Sequence, residues 1–204
     1  MRGLPVLISS VLALAVAAAP AAAQSTGGAA ATSASKKATV TSPKAKEADA
    51  GNGGTSATPP APVAGETATI GPDGLASAPL SAPAEVHAAI AAANKLIGKP
   101  YKYGGGHAKV EDTGYDCSGT VSYALRGADL LDEPLDSSSF MKWGEAGPGT
   151  WFTIYTNPGH AFIVIAGLRL DTSAAGDPSG LKGPRWRPNL RSTRGFKARH
   201  IEGL

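Results

Sequence analysis

Apolar residues recur at helical spacing between residues 81 and 98, where Val86, Ile90 and Leu96 with Ile97 form one stripe. The punctuation agrees with a helix: Ser81 can cap it, Pro83 is tolerated in the first turn, Glu85 suits the dipole and Gly98 ends it. His87 falls off the stripe and is expected at the surface. A second helical pattern spans residues 117–126, with Val121, Ala124 and Leu125 able to face a core. Residues 129–139 are mostly polar and turn-like. The period then changes. Residues 151–156 and 160–165 read as strands around the turn Asn157-Pro158-Gly159, and Ala166-Gly167 permits a tight hairpin into residues 168–172. Residues 195–201 form a last expected strand. Helices first and an antiparallel sheet afterwards predict an α+β fold, with N-terminal helices packed on the sheet.

Composition divides the chain. All twelve aromatic residues lie after position 100, which predicts one domain over residues 81–204. Residues 24–80 are mostly Ala, Ser, Thr, Gly and Pro; Lys36, Lys37, Lys44 and Lys46 are balanced by Glu47, Asp49, Glu66 and Asp73. Such a stretch buries too little apolar surface to offset the entropy of ordering, so it reads as a disordered linker. Residues 1–23 read as a secretory signal peptide: Arg2, an apolar run over 4–18, and Ala21-Ala22-Ala23 ahead of Gln24. The run is short for a membrane span, and no cysteine near the junction offers a lipid attachment point. The mature protein is expected outside the cytoplasm, in the cell wall, the periplasm or the medium, as a monomer with no stable membrane association.

Charge excludes some functions. The net charge is +3, and the expected domain holds 14 Lys or Arg against 12 Asp or Glu, too mild a bias for nucleic acid. From Lys182 onward seven basic residues face one acid, Glu202, a tail that suits either an anionic polymer such as a cell wall or plain solvent. Gly104-Gly105-Gly106 is no phosphate loop, since the Lys-Ser/Thr pair is missing and the run follows a helix. Those glycines are expected to let the backbone pass close to something. One cysteine and dispersed histidines lack zinc spacing, so no metal and no cofactor are expected.

The lone cysteine, Cys117, opens the second helix. Amide N–H groups at a helix N-terminus favour a thiolate and can also stabilise an oxyanion on an attacked carbonyl. A thiolate nucleophile needs a base. His160 is the candidate, opening a strand directly after the Asn-Pro-Gly turn. Asp171 ends the neighbouring strand across the Ala-Gly hairpin, at the same end of the sheet, and can orient the imidazole. Blander readings exist for each residue: a buried inert thiol or an intermolecular disulfide, a surface histidine, an aspartate capping a turn.

Pro100-Tyr101-Lys102-Tyr103-Gly104-Gly105, then Tyr115-Asp116-Cys117-Ser118-Gly119 opening a helix, then Gly159-His160 opening a strand, resemble the NlpC-type cell-wall cysteine peptidases. The resemblance covers most of residues 84–173 and nothing after about 174. It implies a papain-like α+β domain, secreted, that cuts peptidoglycan stem peptides between D-glutamate and a diamino acid. Cys117 is then the nucleophile and His160 the general base. Tyr103 would line the substrate site, and Asp116 and Ser118 would bind the free amine of a stem peptide. Two departures stand out. The third polar residue, commonly His, Asn or Gln, falls here on Asp171 or, without a gap, on Thr172. The usual Gly-Asp-Leu before the histidine strand is Gly149-Thr150-Trp151-Phe152. An N-acetylmuramoyl-L-alanine amidase with the same Cys-His chemistry, or an inactive wall-binding module with an unreactive thiol, are the alternatives.

Overall fold

The structure, a computed structural model, describes residues 65–204. The expected leader and most of the expected linker lie outside the described residues. Helix α1 spans Ala84–Asn94, α2 Cys117–Arg126, and a single turn, α3, Ser137–Phe140. Strands β1 (Thr69–Ile70) and β2 (Ala76–Ser77) form a small ladder. The remaining strands are β3 (Glu145–Ala146), β4 (Phe152–Asn157), β5 (His160–Ile165), β6 (Leu168–Asp171), β7 (Arg185–Arg187) and β8 (Lys197–His200). These six make one antiparallel sheet in the order β3-β8-β4-β5-β6-β7. Helices on an antiparallel sheet are the expected α+β arrangement.

Strand alternation sorts the two faces of the sheet. The row Ile154, Ile163, Leu170 and Trp186 is in register across four strands and buried with Val86, Ile90, Val121 and Leu125 of the helices. The opposite row carries Tyr155 against Phe162 and Arg169 against Arg187. Arg169 and Arg187 are nonetheless buried, because the chain after β6 folds over that face.

Order begins earlier than composition indicates. Residues 65–80, read as the end of the linker, hold β1 and β2, with Ala68, Ala76 and Ala78 buried. Alanines carry no apolar signal of their own; here neighbours hold them. The Ala68 amide donates to the Ala166 carbonyl at 2.9 Å, and the Asn94 side chain both accepts from and donates to the Ala76 backbone at 2.9 Å. Asn94 also accepts from the Trp186 indole at 2.7 Å, tying the end of α1 to β2 and β7. α1 starts at Ala84 with Pro83 as its cap residue and no side-chain capping bond, and Ser81 Oγ donates to the Gly65 carbonyl instead. The turn α3 lies in the polar stretch, capped by Asp136. Strand β7 gave no sequence signal, since its one core residue, Trp186, sits between two arginines.

Candidate active site

The glycine run passes close to the start of α2. Tyr115 N–H donates to the Pro100 carbonyl at 3.1 Å, Lys102 N–H to the Tyr115 carbonyl at 3.2 Å, and Asp116 N–H to the Gly105 carbonyl at 3.2 Å. A Cβ on Gly119 would lie 2.0 Å from the Gly105 oxygen, and one on Gly105 would lie 2.2 Å from the Gly114 oxygen. Gly119→Ala is therefore expected to cost about 3 kcal/mol by overpacking against unyielding backbone. The midpoint of urea unfolding checks it; an unchanged midpoint contradicts the close approach.

Asp116 caps α2. Its Oδ1 accepts from Gly119 N–H at 2.7 Å and lies 3.1 Å from His107 Nε2 and 3.3 Å from Ser118 Oγ. Its Oδ2 accepts from Gly104 N–H at 3.0 Å. Ser118 Oγ is itself 3.2 Å from His107 Nε2. The carboxylate thus locks the glycine run, the helix start and His107 together. His107 stands against both Asp116 Oδ1 and Ser118 Oγ, while Oδ2 accepts from Gly104 alone among the described residues.

Cys117 follows as the first residue of α2, unpaired and partly buried. Burial pushes its thiol pKa up, but the His160 side chain, the Ala161 amide and the charge of His160 pull it down, against a smaller opposing push from Asp116. The net direction is below the ordinary thiol value. His160 moves the other way. Burial disfavours the imidazolium, yet hydrogen bonds to Asp171 and Cys117 and the charges of both raise its pKa to about 9. The two shifts run in the directions that favour an ion pair of Cys117 with His160 over the neutral pair.

His160 opens β5 because Asn157 Oδ1 accepts from both Gly159 N–H and His160 N–H at 2.9 Å, closing the turn at Pro158-Gly159. Its Nε2 lies 2.9 Å from Asp171 Oδ1, which leaves Nδ1 for the sulfur. The hairpin explains the meeting: Ala166 (φ 47°) and Gly167 (φ 77°) make a two-residue turn of positive φ that sets the β5–β6 register. Continuing that register puts Asp171 one diagonal step from His160 on the same face. Thr172 takes the alternate face, and its carbonyl accepts from Gly183 N–H. The structure places Asp171, not Thr172, against the imidazole.

Asp171 is fully buried in an unusual setting. Oδ1 also accepts from Ser173 N–H at 2.8 Å, and Oδ2 accepts from Arg191 at 3.2 Å with Arg169 Nε at 3.8 Å. Arg187 donates to the Asp171 carbonyl, pairs with Asp177 and donates to the Leu181 carbonyl. The tail expected to offer cations to solvent or to a polymer turns several inward: Arg187 and Arg191 here, and Arg199 onto the Trp143 and Gly144 carbonyls.

A cleft of about 550 Å³ opens beside the sulfur, lined among others by Tyr101, Tyr103, His107, Asp136 and Pro158. Tyr103, the aromatic expected beside the thiol, is 90% exposed at its rim. Tyr101 is the ring that senses the site electrically: burial raises its phenol pKa, and Cys117 and Asp116 add to the rise. Tyr101 and His107 escaped the sequence reading, although both flank the glycine run that the motif includes.

No family model and no curated protein matches the chain. Among solved structures, the peptidoglycan hydrolase RipB from Mycobacterium tuberculosis is similar at 24% identity and a TM-score of 0.43, over 57% of this chain. The match covers 64% of RipB's chain, just under two thirds of its length.

Proposed function

We propose that the protein is a cysteine peptidase that hydrolyses an amide bond in peptidoglycan stem peptides, between D-glutamate and a diamino acid. The observation that carries the chemistry is the alignment of Cys117, His160 and Asp171, with the thiol shifted down and the imidazole up. The substrate class rests on the Pro-Tyr-x-Tyr-Gly-Gly and Asp-Cys-Ser-Gly motifs. Location outside the cytoplasm rests on the leader pattern of residues 1–23. No described helix is long and apolar enough to cross a membrane.

In this reading the Cys117 sulfur attacks the carbonyl carbon, and the developing oxyanion meets N–H groups at the start of α2. As the S–C bond forms and the C–N bond breaks, His160 hands its proton to the departing nitrogen. Water then adds to the thioester and gives a proton back to His160, and the thiolate leaves. Asp171 holds the imidazole ring in place throughout. Tyr103 forms the outer wall, and Asp116 and Ser118 receive the substrate amine beside His107.

The test is digestion of purified peptidoglycans of differing stem chemistry, with the released fragments identified by mass spectrometry. New amino termini on the diamino acid are expected. Intact stem peptides beginning at L-alanine would identify an amidase instead. Silence on every wall, with an unreactive thiol, would point to a wall-binding module.

A further inference from the structure

The chain beyond β6 reaches over the sheet and lays Arg191 against the candidate His–Asp pair. Its guanidinium donates to Asp171 Oδ2 at 3.2 Å while Asp171 Oδ1 serves His160. Two rings hold it there: its guanidinium carbon is 5.4 Å from the Phe162 centroid and 5.3 Å from that of Phe196. Phe196 in turn stands edge-on to the His160 ring at 6.2 Å. Arg191 and Phe196, both outside the family resemblance, therefore pack together against the His160–Asp171 pair.

A packing role alone does not account for a charged residue in this position. Ser173 N–H already fixes Asp171 Oδ1, so Arg191 is not needed to aim the carboxylate. What it adds is charge. Around Asp171 and His160 stand Cys117 at the head of α2 with its cap Asp116, Arg169 from β6, Arg185 and Arg187 from β7 with Asp177, the partner of Arg187, and Arg191 itself. Four guanidiniums face two carboxylates on that side of the sheet, the fourth being Arg185, the register partner of Asp171 on β7. Arg169 has no hydrogen-bond partner among the described residues, so its charge is left to act on Asp171 through space.

We propose that Arg191 is a positioning residue for the cysteine–histidine pair: by taking the second oxygen of Asp171 it restrains the carboxylate's pull on His160 and keeps the imidazolium acidic enough to protonate the leaving nitrogen. The inference rests on the peptidase reading for that last step. Without the restraint, Asp171 stabilises the imidazolium further, and the proton is held rather than passed on.

Imidazole NMR across pH reads the effect without any substrate, with the His160 signals identified by their loss in His160→Ala. In Arg191→Gln, which keeps a donor and removes the charge, the His160 midpoint is expected to rise by about half a unit to one unit. Arg191→Lys, which keeps the charge, should restore the wild-type midpoint, and Arg191→Met replaces the glutamine variant if that one folds poorly. A midpoint that stays or falls in the neutral variants, or rises equally in Arg191→Lys, overturns the proposal. A wild-type His160 titrating at its ordinary 6.5 would instead overturn the thiolate–imidazolium reading beneath it. On a cleaved stem peptide, Arg191→Gln should lower kcat at neutral pH and move the optimum upward with little change in KM.

Discussion

Cys117→Ser is expected to release no measurable stem-peptide fragment, a fall of at least about 10³-fold in kcat/KM. Serine differs from cysteine by one atom, and the fold should tolerate it to within about 1 kcal/mol. The chemistry does not transfer. The site pulls a thiol below its ordinary pKa with one imidazole, one backbone amide and one charge. A hydroxyl starts so much higher that the same pull leaves it protonated, and the ion pair with His160 does not form. The loss of the thiolate should also show directly: His160 in Cys117→Ser loses the Cys117 charge that helps raise its pKa, so its midpoint falls. Fragment release by mass spectrometry and the imidazole titration check the two halves. Equal release by wild type and variant would sink the nucleophile assignment.

Asp171→Asn should cost both activity and stability. The amide cannot serve the imidazolium as the carboxylate does, so the His160 pKa drops and the thiolate loses its counter-ion. A loss of about 10³-fold in turnover is expected. Stability falls for a different reason. Arg191 and Arg169 share Asp171 Oδ2, and Arg169 is fully buried with no other partner among the described residues. Removing the buried anion leaves their charge uncompensated, at a cost of about 3–5 kcal/mol. Urea unfolding measures it. Asp171→Glu, which keeps the charge and moves it, should recover more stability than activity. A variant with full stability and lost activity would show that the arginines do not depend on this carboxylate.

Much of this site was legible because it is local. The thiol at the head of α2 follows from helical spacing after Asp116, and His160 follows from the Asn-Pro-Gly turn. Asp171 came from counting across a two-residue hairpin, which works because Ala166 and Gly167 both adopt positive φ and leave the register no slack. What escaped was non-local. Tyr101 joins Tyr103 in the cleft through strand-like pairing of Tyr101 with Tyr115, and no local pattern reveals it. His107 meets Asp116 only because the glycines allow the fold-back. Charged residues read as surface, so Arg169 and Arg187 gave no hint of a covered sheet face. The alanines of residues 65–80 gave none of a ladder pinned by Asn94.

The position of β8 has a consequence for how the protein is made. It lies between β3 and β4, so β3 joins the sheet only when residues 197–200 arrive. Helix α2 and the hairpins β4 to β6 can assemble from contiguous chain, bringing sulfur, imidazole and carboxylate near one another early. Arg191 and Phe196, immediately ahead of β8, come into place with that last strand. A chain that lacks its last residues, from 191 on, therefore holds sulfur, imidazole and carboxylate without their cover. The cover that Arg191 and Phe196 lay over the His160–Asp171 pair is thus the part of the site that depends on docking of the C-terminal segment.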